Sequence, residues 1–330
     1  MKRKIFFTFG LVGMMAVGLS SCGSSDEPSD KPERPGEFVA DWKYIVNNEN
    51  TGTKYAFLSE RYLGVDAFVS SDGLPKRQTA PELYPGLVCV ENDFGSDLQT
   101  EIVSDRQPVG FYCQMGDHLL LDREDVRPGA VVYQSFCKDL LASDDYKEVV
   151  NRDFSPTVFA MCDVRETANV PSLFTENAYF GGMLSRILAQ DYNADAGKTL
   201  AAGKILINGL VMGMDAAADG FFTKKPDNIA ELAAVKQLDY GATAYFFVIS
   251  DRTFDAVYDC FRGFGEMKNI VEDFKTGELK DSRMVAFVTN DVTRNARIVT
   301  SVEELCDFIR HPFTANACGY PVSARLVSCE

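Results

Sequence analysis

Histidine and tryptophan are nearly absent from this chain of 330 residues, which has only His118, His311 and Trp42 of those types. Neither histidine has a nucleophile motif beside it, so each reads as a surface or loop residue, and histidine-based acid–base chemistry has little to work with. No G-x-S-x-G, H-E-x-x-H, G-x-x-x-x-G-K-[ST] or clean G-x-G-x-x-G occurs. No two cysteines stand in C-x-x-C spacing, which argues against a zinc knuckle or a dithiol redox motif. Nothing in the sequence points to a cofactor, a metal or catalytic residues. Positive charge is also short: 33 Lys and Arg face 48 Asp and Glu, a formal net charge of −15. Such a chain has no basic face for phosphates, so nucleic acid is excluded as a partner, and charge alone does not bring it to anionic lipid. Beyond the first residues no apolar run approaches the ~18 residues of a spanning helix.

What is present begins with a leader. Met1-Lys2-Arg3-Lys4 is positive, residues 5–18 are mostly apolar, and Leu19-Ser20-Ser21-Cys22 follows. This is the order of a secretory signal, and its end is that of a bacterial lipobox, which makes Cys22 the lipidation site. Residues 1–22 are therefore expected to be a lipoprotein signal peptide. Residues 23–37 are Ser, Pro and charge, and read as a flexible tether. Asp26 and Glu27 resemble the surface-export signal of some Gram-negative bacteria. The expected location is the outer membrane, lipid-anchored and exposed at the cell surface, with release from the anchor left open. That compartment permits disulfides, but the eight remaining cysteines allow 105 full pairings and the sequence chooses none.

Hydrophobic residues make up 46% of the whole chain, enough for a sizeable core, which is expected over residues 38–330. Strands are expected near 83–90, 108–115 (as its partner), 158–164, 210–214, 242–250, 284–289, 296–300 and 320–327. Helices are expected over 137–150, 228–235, 253 onward, and 302–310. Ser301 caps the last of these, with Glu304 as its capping-box partner, and Pro312 ends it. The Ala-rich stretch 199–210 reads as either helix or strand. The elements interleave without a β-α-β-α rhythm, which points to α+β with a long antiparallel sheet.

One stretch satisfies two periods. From Phe254 the apolar residues Phe254, Val257, Tyr258 and Phe261 fall on one helical face. Read as a strand, Phe254, Ala256, Tyr258 and Cys260 form one apolar parity, while Asp255, Val257, Asp259 and Phe261 form the other. Residues 253–283 exceed the ~20–25 that a membrane hairpin needs. The second half, residues 269–280, alternates poorly. A second stretch, 132–177, carries a single clear parity, Val158, Ala160, Cys162 and Val164.

Several segments, in order, resemble the cholesterol-dependent cytolysins of the MACPF/CDC superfamily of pore-forming proteins. Tyr84-Pro85-Gly86 looks like that family's "YPGAL" segment, Tyr240-Gly241 its "AYGR" strand, and Pro321 its "PISY" strand. "MGMDAAADGFF" at residues 212–222 and "VTSVEELCDFI" at 299–309 lie between them. The resemblance spans about residues 67–328. It implies a long twisted antiparallel sheet flanked by helical clusters, oligomerisation, and refolding of flanking helices into membrane hairpins. Phe254, Ala256, Tyr258, Cys260 and Phe261, and in second place Val158, Ala160, Cys162 and Val164, would then be the inserting residues. The family's Trp-rich undecapeptide is missing, so cholesterol recognition does not carry over, and Thr289-Asn290-Asp291 replaces its Gly-Gly pair. The implied function is a surface lipoprotein that forms pores as one half of a two-component antibacterial system, partnered by the target membrane and a longer cytolysin-like protein in a homo- or hetero-oligomer. The alternative on the same fold is a non-lytic binding lipoprotein: an adhesin, a glycan binder or an immunity decoy. A hydrolase built on unmotified carboxylates is a third reading that no residue supports.

Overall fold

The computed structural model describes residues 60–63, 83–94, 100–103, 105–163, 198–215, 220–262, 267–290 and 297–330. The leader, Cys22, the tether and Val164 lie outside the described residues. A ten-stranded antiparallel sheet organises them. In chain order the strands are β1 (Glu60–Leu63), β2 (Val88–Val90), β3 (Val109–Met115), β4 (His118–Val126), β5 (Val158–Asp163), β6 (Thr199–Asp215), β7 (Leu232–Ser250), β8 (Arg283–Thr289), β9 (Arg297–Val299) and β10 (Tyr320–Ser328). The helices are α1 (Ala130–Ala142), α2 (Asp144–Val149), α3 (Phe254–Arg262), α4 (Met267–Lys275) and α5 (Val302–Arg310). The result is the expected α+β class, with a long sheet and helices packed on it.

Two strands of unusual length carry the architecture. β6 has 17 residues and β7 has 19, so β7 runs roughly 60 Å at ~3.3 Å per residue. They pair along most of their length, from Thr199↔Ser250 to Gly213↔Gln237. At one end the neighbours outside them are β3 and β4 beyond β6, and β10 and β1 beyond β7. At the other end β5 lies beyond β6, and β8 and β9 lie beyond β7. The sheet is thus two half-sheets sharing two strands.

The exchange of neighbours occurs at one transverse line. β6 has a register shift between Asn208 and Leu210, opposite Gly241 and Tyr240 of β7. β10 has one between Pro321 and Ser323, opposite Tyr240 and Asp239. Bulges bend a strand and increase its twist, and two at the same level crease the whole sheet. Small residues make the crease possible. A Cβ on Gly241 would strike the Ile207 carbonyl, and one on Gly209 would strike the Phe313 ring. Tyr240, at the crease, is buried with its hydroxyl 3.1 Å from that of Tyr133 on α1, which lies 2.8 Å from Met212 Sδ.

Three sequence expectations change, and one open reading is settled. Residues 199–210 are strand, continuous with 210–214, because Gly203 and Gly209 suit close strand packing rather than a helix. Residues 228–235 are not a helix; a single 3₁₀ turn, Ile229–Glu231, leads into β7. The early strand is short, β2, and its partner is β7, not 108–115. The latter segment is β3, between β4 and β6. The misreadings of 83–90 and 228–235 have one cause: these segments pair with each other as β2 and the start of β7, over a hundred positions apart, and that pairing outweighs local pattern. Residues 242–250 are buried on both faces as expected, and Ser301 Oγ accepts from Glu304 N at 3.3 Å to start α5. The other half of the capping box differs, since Ser301 Oγ also pairs at 2.8 Å with Glu303 Oε2.

The Tyr84-Pro85-Gly86 turn is built into the core. Tyr84 is buried, and Gly86 sits at φ +88°, where a Cβ would also meet Pro128. Arg106 donates to the Gly86 carbonyl at 2.8 Å and to Glu101 at 2.5 Å, and its Nη1 lies 3.1 Å from the Tyr84 hydroxyl. Tyr84 in turn donates to Glu101. Gly86 also donates its N–H to the Val235 carbonyl, tying the turn to β7.

Candidate functional site

β7 and β8 are direct neighbours, in register from Thr243↔Thr289 to Ile249↔Arg283. A two-residue turn would suffice to join such a pair. Instead the chain leaves β7 at Ser250, forms α3 and α4, and re-enters the sheet at Arg283. The strand ends are held together: Ser282 Oγ donates to Ser250 Oγ at 2.7 Å, and Arg252 N donates to the same oxygen at 3.0 Å. The helical excursion is therefore an insertion between two strands that already pair.

α3 packs on one face of the half-sheet that carries β5 and β8, with α4 beside it. α3 buries Val257 and Phe261, four residues apart, and leaves Asp255, Asp259 and Arg262 exposed. Phe254, Ala256, Tyr258 and Cys260 are half-buried. The Phe261 ring stacks on Phe246 of β7 at 4.9 Å and meets Phe274 of α4 edge-on at 5.8 Å. Phe246 also stacks with Phe159 of β5 at 6.5 Å, and Phe159 with Tyr258 at 6.2 Å. Tyr258 and Phe254 close the cluster at 6.0 Å. Gly203 of β6, in register with Phe246, makes room beneath it, since a Cβ there would collide with that ring. Each well-oriented aromatic pair adds about 0.5–1.5 kcal/mol beyond area burial.

Polar contacts fasten the second helix. Lys275 at the end of α4 pairs with Glu303 of α5 at 3.0 Å. That lysine, followed by the Glu303 backbone N–H and Ser301, holds the Glu303 carboxyl below the usual range. Cys260 is pushed up to about 12, first by burial and then by the Asp273 carboxylate of α4. It is a thiol that does not ionise at neutral pH. Cys89, Cys113, Cys137 and Cys329 are also free thiols.

β8 has a partly open outer edge. β9 pairs with it only at residues 286–288, so Arg283, Met284 and Val285 have no strand beyond them among the described residues. Thr289 is the last residue of β8 and Asn290 follows it, at the place where the resemblance would put a glycine pair. Asn290 Nδ2 donates to the Pro312 carbonyl at 2.5 Å and ties this end of β8 to the end of α5. The second candidate set lies elsewhere. Val158 is the first residue of β5, which pairs with β6 over all six of its positions; Ala160 and Cys162 follow on that strand. Most of 132–149 is helix α1 and α2, with Phe136, Leu140 and Tyr146 buried in the core. Among the described residues no cluster of three or more His, Cys, Asp or Glu is arranged to hold a metal, and no helix is long and apolar enough to cross a membrane. His311, exposed at the end of α5, lies 3.3 Å from both Asp153 and Asp307.

Sequence reasoning singled out α3 but not the groups that seat it. Gly203, Phe246 and Phe159 come from three different strands, and no local signal joins them. The Lys275–Glu303 pair likewise joins two helices separated by β8 and β9.

Solved structures of cholesterol-dependent cytolysins are similar to this fold. Neither a protein-family model nor a curated protein matches the sequence, but solved structures do. Pneumolysin superposes with a TM-score of 0.51 at 18% identity, over 81% of this chain and 60% of its own. Suilysin from Streptococcus suis, a cytotoxin protein, gives 0.50 at 14% identity, over 81% and 61%. Listeriolysin O gives 0.50 at 10% identity, over 81% and 58%. At these identities the likeness establishes the fold. The chain spans about 60% of the length of these structures.

Proposed function

We propose that the chain is a pore-forming subunit that oligomerises and inserts β-hairpins into a target membrane. The observation that carries this is the register of β7 and β8. If α3 and α4 open, both strands lengthen without changing partner. Continuing Ile249↔Arg283 sets Phe254 opposite Glu278 and Tyr258 opposite Phe274. The turn then centres on Glu266, between Gly265 and Met267. A strand enters lipid only when its backbone is paired on both sides, so subunits must associate and close a barrel. The lipid anchor at Cys22 delivers the protein to the cell surface, and a longer cytolysin-like protein supplies the other half of a two-component antibacterial system. The test is dye release from vesicles of bacterial lipid by the purified chain, alone and mixed with activated culture supernatant of its producer. Leakage in the mixture supports the reading; intact vesicles in both conditions, with folded protein, refute it.

A specific observation favours a second reading. The continued register puts Glu272 and Glu278 on the same face as Phe254 and Tyr258. Carboxylates facing lipid oppose insertion. A surface lipoprotein that kept the fold and binds without lysis, as an adhesin, glycan binder or immunity decoy, accommodates those residues. In that case α3 and α4 stay packed during function.

A further inference from the structure

Strand β7 changes neighbour on one side between Thr243 and Gly241. Thr243↔Thr289 is the last pair of its ladder with β8, and Gly241↔Tyr320 is the first of its ladder with β10. Among the described residues the buried polar or charged side chains are Lys204, Thr243, Ser250 and Thr289. Three of them have partners. Lys204 Nζ lies 5.7 Å from the centre of the Tyr245 ring, and Ser250 accepts from Ser282 Oγ and Arg252 N. Thr243 Oγ1 shares a hydrogen bond of 2.6 Å with the buried Tyr320 hydroxyl. Thr289 is 3% exposed, and its Oγ1 has no hydrogen-bond partner. Residues directly opposite across an antiparallel pair share a face, and two threonines so placed commonly bond to each other. Here Thr243 bonds across the fork to Tyr320, and Thr289 is left out.

We propose that Thr289 is a destabilising element built into this fork, whose unpaired hydroxyl biases the end of β8 toward leaving its packed position. A buried hydroxyl without a partner loses its bonds to water and gains none in return. Valine has nearly the same shape and carries no such cost, so packing alone does not call for the hydroxyl. The next residue acts in the opposite sense. Asn290 Nδ2 donates to the Pro312 carbonyl at 2.5 Å and holds the same strand end to the end of α5. One tie and one destabilising group thus stand side by side where β8 ends.

The position gives the element a consequence, which rests on the pore reading above. The fork lies at the crease: Gly241 is one residue from Tyr240, and the β10 register shift at Pro321/Ser323 directly follows Tyr320. A change in the angle between the two half-sheets moves β8 relative to β10 at this point. Any arrangement that lets Thr289 reach water or a new partner recovers its hydrogen bonds, so the hydroxyl favours the moved form over the packed one. Thr289 therefore helps set how readily the crease changes.

The test makes the same substitution at both members of the Thr243↔Thr289 pair in the full chain. T289V should raise the thermal midpoint by about 2 °C or more. T243V leaves the Tyr320 hydroxyl without this partner and should lower it. The change in strand propensity is the same at both sites, so opposite signs isolate the hydroxyls. T289S keeps the hydroxyl and should not share the gain. Hydrogen exchange of the amides at 287–289 should slow about fivefold or more in T289V, with little change in α1. A T289V chain that is no more stable than wild type, or that fails to fold, overturns the proposal, as does a shift of T243V in the same direction. Stabilisation without slower exchange at 287–289 overturns its placement at the fork. Where wild type releases dye from vesicles, T289V should do so several-fold more slowly; an equal rate overturns the effect on the crease. Absence of leakage from wild type would remove the pore reading and leave the stability result intact.

Discussion

Ile249 and Arg283 are Cα partners across β7 and β8, although α3 and α4 lie between them in the chain. The pairing that a membrane hairpin would extend is therefore already made in the folded protein. What holds the excursion shut is side-chain packing on the sheet face, centred on Phe261 over Phe246, and the contacts of α4 with α5. The consequences separate residues that stabilise the packed form from residues that the extended form would use.

Phe261 and Phe254 should behave oppositely. Phe261 is fully buried in the packed helix but falls on the wet parity of the extended strand. F261A should cost about 3–5 kcal/mol of folding stability in urea melts while leaving leakage per folded subunit at least as high as wild type. Phe254 is half-buried in the helix but faces lipid in the strand. F254D should cost less than F261A in the same melts and abolish leakage.

Gly203 provides a control on the sheet itself. In G203V the new side chain meets the Phe246 ring, which is already enclosed by Phe159 and Phe261. Overpacking of this kind typically costs about 1–3 kcal/mol. The thermal midpoint should fall, and α3 amides should exchange faster than those of α5.

The Lys275–Glu303 pair gives the excursion a pH dependence of known sign. The Glu303 carboxyl is held below its ordinary range, chiefly by Lys275. Its contribution is therefore present above the unfolded carboxylate pKa and lost as pH falls through the depressed folded value. Both side chains are substantially exposed, so solvent screening keeps the effect small. Exchange at α4 should be faster at pH 3.5 than at pH 5.5 after correction for intrinsic rates, as estimated from the ordinary carboxylate range of about 4, and E303Q should reduce that difference.

Much of this was readable from local pattern, and what was not has a physical reason. The buried run 242–250, the helix from Phe254 and the Ser301 cap each follow from period or cap chemistry within a few residues. The first half of β7 did not, because Leu232 to Gly241 has neither strand alternation nor a clear helical face. Its state is decided by β2, β6 and β10 pairing on either side. The crease at Gly209 and Gly241, and the seat of α3 on Gly203, depend on neighbours brought together by topology. The dual period of residues 254–261 was visible, but which residues it buries in the packed state was not: Phe261 lies deepest, and the apolar strand parity is only half-buried.

The most direct measurement is the period of lipid protection across residues 254–261. Single environment-sensitive labels would be placed at each position in a C260S background, with native Cys260 labelled in its own turn, and quenched by a lipid-borne nitroxide. The remaining described cysteines carry thiols raised by burial where a shift is resolved, which limits background labelling. With vesicles and the producer's activated supernatant, positions 254, 256, 258 and 260 should be quenched and 255, 257, 259 and 261 should not. A helical period, with 257 and 261 protected together, or no lipid contact at any position, would contradict opening of α3 into a membrane strand.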